Sequence, residues 1–413
     1  MKVLLSAYAC EAGRGSEPGV GWHTARELAK YHEVWVLTRP DDGRPAIEAE
    51  LARNPEPNLH FVYFTLPLWG GFWQLGSVAF VLHYYLWQVQ AYFVARQLHR
   101  EIRFDLAHHV TFVRYSTPSF ISLLPIPFIW GPVGGGESAP PTFWQDFSFK
   151  AKIYEIMRTL AHKVGEQDPF ARLTARRSTI TRVTTEDTAE RVRKMGASNV
   201  QVLSQLGLSK KEIGHLARYT LPSSSQVRLI SIGRLLHWKG FHLGLSAFAQ
   251  AGLADAEYWV IGDGPERERL QSLVEELGIA HQIMFWGELS RDETLQKLGE
   301  CHVLVHPSLH DSGGLVCLEA MAAGHPVICL DLGGPAIQVT PETGFKIPAH
   351  NPAQTVSDLA DAMICLAHDP KLRIRMGQAG QNMVEEKYNW ETKGQHLAKF
   401  YEKIFLPGCE YPN

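Results

Sequence analysis

The chain has 413 residues, of which 45% are hydrophobic and 20% charged, with a formal net charge of −3. That length exceeds what a single hydrophobic core organises and sets an expectation of two domains of about 200 residues each. The near-neutral balance supplies no global basic field, which argues against nucleic acid as a partner.

In chain order, the first strand is expected over residues 3–7. One lysine and a short apolar run before Cys10 are too little for an export signal, so this stretch is read as structure. The loop Gly13-Arg14-Gly15-Ser16-Glu17-Pro18-Gly19-Val20-Gly21 comes next, then a helix over 22–30. Such a loop lets backbone approach a phosphate closely, although the Gly-Lys-Ser/Thr ending of a P-loop is missing.

Further strands are expected at 34–37, 59–64, 105–109, 127–130 and 180–184. Residues 57–95 contain no Asp, Glu, Lys or Arg, and 72–94 is long enough to cross a bilayer. Gln74, His83, Gln88 and Gln90 interrupt it, and Gly70, Gly71 and Gly76 break its start, so a buried or groove-lining helix is expected. The aromatics Trp69, Phe72, Trp73, Tyr84, Tyr85 and Trp87 leave an interfacial role open. His108 and His109 end the fourth strand, where alternation sends one side chain to the core and the other towards a cleft. Residues 150–194 hold eleven Lys and Arg against six acids, a local basic excess suited to anionic headgroups.

The second half repeats the scheme, with strands at 227–232, 258–261, 283–286, 302–306 and 326–329. Strands alternating with helices predict an α/β protein of two doubly wound, Rossmann-like domains. The boundaries read 1–205, a linker over 206–226, a second domain over 227–388, and a last helical segment over 389–413.

Three motifs in this half carry chemistry. Gly233-Arg234-Leu235-Leu236-His237-Trp238-Lys239-Gly240 places two cations five apart after a strand, able to converge on one diphosphate. Gly262-Asp263-Gly264-Pro265 is a strand-to-helix turn, with Leu289 following the next strand. The stretch from His310 to Ala320 sets Asp311 and Glu319 eight apart around Gly313-Gly314, between a strand and a helix. Glycines at a helix N-terminus free backbone N–H groups to point at an anion. One carboxylate suits sugar hydroxyls and the other a ribose. No Asp-x-Asp triplet offers ligands for a divalent-ion clamp, and the six cysteines form no C-x-x-C pair.

These motifs resemble family four of the retaining glycosyltransferases, glycosyl transferases group 1, whose usual Glu, seven residues, Glu pattern here begins with the shorter Asp311. The resemblance implies the GT-B fold: two domains facing across a cleft, the first binding acceptor and the second nucleotide sugar, with the C-terminal helix crossing back to the first. It implies metal-independent, retaining transfer of a hexose from a UDP- or GDP-type nucleoside diphosphate sugar. The acceptor would be a saccharide or lipid-linked hydroxyl in cell-surface polysaccharide or glycolipid synthesis, with the enzyme cytoplasmic and peripheral on the inner membrane face. No cofactor is implied beyond the donor. By the same resemblance, Asp311, Arg234, Lys239 and His109 are catalytic. Gly19, Gly233, Gly262, Leu289, Ser312, Gly313, Gly314, Leu315 and Glu319 bind donor, and Glu17 and His108 face the acceptor. The rival readings are a nucleotide-sugar epimerase or hydrolase on the same scaffold, and a non-catalytic sugar-nucleotide-binding partner.

Overall fold

Runs of apolar residues too short for helices form the strands, and their burial on both faces is the mark of parallel sheets between helical layers. The computed structural model describes residues 1–41, 43–66, 77–219 and 226–405. In chain order the strands are β1 (Lys2–Ala7), β2 (Glu33–Thr38), β3 (Leu59–Tyr63), β4 (Leu106–Thr111), β5 (Phe128–Val133), β6 (Ile180–Val183) and β7 (Val200–Val202). These form one parallel sheet in the order β3-β2-β1-β4-β5-β6-β7. A second parallel sheet comprises β8 (Arg228–Ile232), β9 (Glu257–Ile261), β10 (Ile283–Gly287), β11 (Val303–His306), β12 (Val327–Leu330) and β13 (Gly344–Ile347), in the order β10-β9-β8-β11-β12-β13.

The helices are α1 (Ser16–Ala29), α2 (Arg44–Arg53), α3 (Ser77–Ile102), α4 (Phe149–Gln167), α5 (Pro169–Arg177), α6 (Glu186–Met195), α7 (Lys210–Leu216), α8 (Phe241–Ala251), α9 (Arg267–Glu276), α10 (Arg291–Gly299), α11 (Leu315–Ala322), α12 (Gly333–Gln338), α13 (Pro352–His368), α14 (Pro370–Met383) and α15 (Trp390–Ile404). Local chemistry sets several ends. Thr185 accepts the Thr188 amide at the start of α6, and Gly196 closes that helix in the left-handed conformation. Ser290 and Glu293 form a reciprocal capping box on α10.

The chain divides into two compact units, each built from separated segments. The first holds Met1–Gly136, Leu160–Leu206 and Trp390–Asn413, and the second holds Glu137–Thr159 and Gly207–Asn389. In the first unit α15 lies on α1, burying Leu397, Ala398 and Tyr401 with Val3, Leu5 and Trp22. The expected return of the C-terminal helix is therefore present.

Residues 137–159, expected in the first domain, belong to the second unit. The reason is apolar packing: Ala139, Phe143, Phe147 and Ala151 complete the core that also holds Leu235, Phe241 and Tyr258. Within the expected linker, residues 210–216 form α7, capped by Ser209 and Glu212, and residues 221–225 lie outside the described residues.

The uncharged stretch is corrected in part. Tyr84 and Trp87, expected as candidate interfacial aromatics, are core residues of the first unit, and His83 and Gln88 are buried beside them. Trp69, Phe72 and Trp73 lie outside the described residues. Among the described residues no helix is long and apolar enough to cross a membrane.

Candidate functional site

Strand order decides where a doubly wound unit binds its ligand. In the second unit the chain winds from β8 out to β10 and then returns to place β11 on the other side of β8. The carboxyl ends of β8 and β11 thus flank the point where the order reverses, and there the flanking loops diverge and leave a crevice. The segments 233–240 and 306–315 follow these two strands.

The first segment leaves β8 through Gly233, at φ 154°, beside Gly262, at φ 127°. A Cβ on Gly262 would collide with the Gly233 carbonyl, so the two strand ends approach at a distance only glycine permits. Arg234 is exposed, and its guanidinium has no ion-pair or hydrogen-bond partner among the described residues. Lys239 ends a short 3-10 turn over His237–Lys239, and its ammonium lies 2.5 Å from Asp311 Oδ2. The two expected cations therefore differ: Arg234 is unengaged, while Lys239 already holds an anion.

Asp311 is the hub. Its Oδ2 also contacts His306 Nε2 at 3.3 Å, and its Oδ1 accepts the Gly313 and Gly314 amides at 3.1 and 3.2 Å. Burial would raise this carboxyl's pKa, but the His306 contact and the Lys239 charge hold it well below the usual carboxylate range. The amides of Gly313 and Gly314, expected to face a phosphate, are thus engaged by Asp311 itself. A side chain two or three residues back satisfies them in the manner of an Asx turn. The next amides, of Leu315 and Val316, open α11 and donate to nothing among the described residues. Gly314 takes φ 73° as the cap of α11. Gln338 donates to the Gly313 carbonyl at 2.6 Å and the Gly334 amide to the Asp311 carbonyl at 2.8 Å, so α12 fixes the loop. Ser312 donates its hydroxyl to Glu137 at 2.6 Å, which removes it from the crevice.

Glu319 lies on α11, mostly buried, with Oε1 2.6 Å from Arg291 at the start of α10. Burial raises its pKa and the Arg291 charge opposes that rise. Leu289 lies just before this helix, half-buried, with its amide unbonded among the described residues, the feature a base contact requires.

Behind Asp311 a second polar group closes the site. Glu155 of α4, 1% exposed, contacts His237 Nε2 at 2.9 Å and His310 Nε2 at 3.6 Å. Burial would raise its pKa, yet the two histidine contacts bring it down to about 2. Trp238 stacks between Tyr154 and His310 with centroids 5.1 Å from each. Sequence reasoning assigned no role to His306, His310, Arg291 or Glu155. The first two shortly precede Asp311, His306 as the last residue of β11 and His310 as the immediate neighbour of Asp311, and were the detectable signal; Arg291 and Glu155 are distant in sequence.

The first-unit expectations fare differently. Gly19 and Gly21 do not lie in a loop: α1 starts at Ser16, and both glycines are buried in it, where a Cβ would meet the Arg14 and Ala9 carbonyls. Glu17 accepts the Phe112 amide at 2.9 Å and Gln205 Nε2 at 3.4 Å, so one carboxylate oxygen braces the loop after β4 and the other the segment after β7. Burial raises its pKa against those two contacts. His108 and His109 are each 1% exposed, which corrects the expectation that one reaches a cleft. Alternation does send them to opposite faces, but both faces are covered. His108 bridges Tyr401 of α15 and the Gly131 carbonyl, and His109 meets Tyr84 at 3.3 Å and Gln88 at 3.4 Å on α3. Burial lowers both to about 3, so both imidazoles are neutral packing groups.

Comparison with known proteins agrees with this architecture. Residues 219–383 match the sequence profile of the family described as glycosyl transferases group 1. A D-inositol 3-phosphate glycosyltransferase of Corynebacterium jeikeium is 37% identical over 142 residues, 34% of this chain and 33% of that protein. The chain spans about a third of the length of this relative and about half of that of a 2-deoxystreptamine glucosyltransferase of Streptomyces kanamyceticus, which is 30% identical over 191 residues, 45% of this chain and 48% of that protein. Two solved structures share the fold over nearly all of the chain. The apo lipopolysaccharide outer core galactosyltransferase WaaB has TM-score 0.63 at 14% identity, covering 97% of this chain and all of its own. Anabaena Alr3699/HepE in complex with UDP and glucose has TM-score 0.59 at 17% identity, covering 98% and 100%.

Proposed function

We propose, on the premise that residues 219–383 match the profile of glycosyl transferases group 1, that the chain moves a sugar from a UDP- or GDP-type nucleoside diphosphate sugar to a hydroxyl of a saccharide or lipid-linked acceptor, with retention. The observation that carries this reading is that Arg234, the Lys239–Asp311 pair and the free amides of α11 all lie on the two segments that follow β8 and β11, where the strand order reverses. That Anabaena Alr3699/HepE is seen with UDP and glucose supports a nucleoside diphosphate in the same fold.

The reaction breaks the bond from anomeric carbon to diphosphate oxygen and forms one to the acceptor oxygen. Negative charge builds on the departing diphosphate, and stabilising it is the main work the protein can do. Arg234 and the Leu315 and Val316 amides are ready for that anion. Lys239 joins them by exchanging its Asp311 contact for a phosphate oxygen, and Asp311, released, is positioned for sugar hydroxyls. Glu319, ordered by Arg291, is placed for the ribose. The acceptor attacks on the face the diphosphate leaves, and its hydroxyl proton goes to the departing phosphate oxygen. With cations and amides meeting the charge, the reading assigns no metal. It places the protein at the cytoplasmic face of a membrane, in cell-surface polysaccharide or glycolipid synthesis; the lipopolysaccharide role in the name of WaaB supports that setting.

The test is a thermal-shift panel of UDP, GDP and their sugars, followed by NMR of the product anomer. A bound nucleotide raises the melting temperature by mass action. No stabilisation by any nucleoside diphosphate, or an inverted anomer, overturns the reading.

A further inference from the structure

Helix α4 (Phe149–Gln167) carries an exposed apolar stripe. Phe149, Ile153, Ile156, Met157, Leu160 and Val164 are between 45% and 78% exposed. Their spacing of three and four places them on one side of the helix. The opposite side is the buried one, where Ala151 enters the core and Glu155 meets His237 and His310. A soluble surface rarely leaves six large apolar side chains contiguous and uncovered, and such a patch marks an interaction site.

The flanks identify what covers it. On a helical projection Lys150 lies on one border of the stripe, and Lys152 and Lys163 on the other. Both acids of the helix lie elsewhere: Glu155 is buried, and Glu166 is ion-paired with Arg191. The exposed face is therefore apolar at its centre, cationic at both borders and free of anions. A second copy of the same face would oppose lysine to lysine, and a neutral protein groove would leave the lysines without partners. An anionic bilayer surface satisfies both parts: acyl chains take the stripe, and headgroups take the ammonium groups.

We propose that the outward face of α4 is a docking surface for anionic lipid, with the helix lying in the plane of the bilayer interface. This rests on the proposed membrane-side transfer to a lipid-linked acceptor and supplies the surface that brings the protein to it.

The experiment is sedimentation of the full chain with phosphatidylcholine vesicles, with or without one-third phosphatidylglycerol, at low and high salt and without sugar nucleotide. The protein is expected to bind the anionic vesicles, with weaker binding at high salt. Met157→Glu combined with Leu160→Glu should weaken binding by about tenfold or more. Lys150→Gln, Lys152→Gln and Lys163→Gln should each weaken it about fivefold and together remove the preference for phosphatidylglycerol. Absence of binding by the unaltered chain, or undiminished binding by the variants, overturns the proposal. So does a dimer in sedimentation velocity that Met157→Glu dissociates, because a second copy would then cover the stripe. The substitutions lie on an exposed face away from the nucleotide crevice, so the thermal shift with UDP should be unchanged in them. Vesicle binding without any nucleotide response would overturn the transferase reading alone.

Discussion

Removing either of the two cations near the diphosphate position should impair transfer, but only one removal should affect the folded state. Arg234 is exposed and touches no anion, whereas Lys239 holds Asp311 at 2.5 Å with both partners about one-fifth exposed. Arg234→Ala is a surface substitution and should change stability by no more than about 0.5 kcal/mol. Lys239→Ala leaves a part-buried carboxylate without its cation, a loss of about 1.5–3 kcal/mol for a charge-assisted hydrogen bond. In a unit of about 200 residues that lowers the melting temperature by roughly 3–10 °C. On the proposed reading each variant also loses a contact to the departing diphosphate, which should cost about 2–4 kcal/mol in the transition state, or roughly thirtyfold to a thousandfold in rate. Differential scanning fluorimetry gives the first quantity, and initial rates of nucleotide release from a donor found in the thermal-shift panel give the second. Equal destabilisation by the two substitutions would refute the assignment of Lys239 to Asp311. Near-normal rates in both would refute the diphosphate assignment.

Three further outcomes are expected. Glu319→Ala should weaken nucleotide binding about tenfold to a hundredfold, the scale of one charge-assisted hydrogen bond, while Asp311→Ala should chiefly lower the transfer rate; calorimetric titration with UDP separates them. Glu155→Gln should cost about 2 kcal/mol at neutral pH. Because the Glu155 carboxyl is depressed to about 2 in the folded state, its contribution is complete above the unfolded value of about 4.3 and is lost as pH falls towards 2. The difference in denaturation free energy between the two proteins should therefore narrow across that window; a gap independent of pH would contradict the carboxylate assignment. Gly262→Ala should destabilise by at least about 2 kcal/mol, because its Cβ meets the Gly233 carbonyl and its φ of 127° disfavours any side chain. A circular-dichroism melt unchanged from the parent would contradict the close approach of β8 and β9.

The sheets were largely legible in the sequence because parallel strands buried on both faces are continuous apolar runs. Eleven of the thirteen strands fall where such runs stand; β7 (Val200–Val202) and β13 (Gly344–Ile347) are short and each is interrupted by a polar residue, Gln201 and Lys346. The loops after β8 and β11 were legible too, since Gly, Arg, Lys and Asp at strand ends form a local pattern. What they contact was not. That Asp311 would engage the Gly313 and Gly314 amides depends on a loop fixed by Gln338, twenty-five residues downstream. The histidine pair misled because alternation specifies opposite faces but not whether a face is open; Tyr401 covers one from nearly three hundred residues away. Residues 137–159 changed unit for a similar reason, since Phe143 and Phe147 are apolar enough for either core.

The way the chain is partitioned has a consequence for synthesis. The core formed by Val3 and Leu5 of β1 with Trp22 of α1 is completed by Leu397, Ala398 and Tyr401 of α15. Between these two sets the ribosome must make the whole of Gly207–Asn389. At roughly 5–20 residues per second that interval lasts on the order of 10–40 s. Throughout it the nascent first unit presents an uncovered apolar surface, a natural target for a chaperone. The second unit suffers no such delay, because Glu137–Thr159 has already emerged when its remaining segment is translated. The later-made unit should thus be the first to close, and emergence of α15 from the ribosome should be the event that completes the first unit.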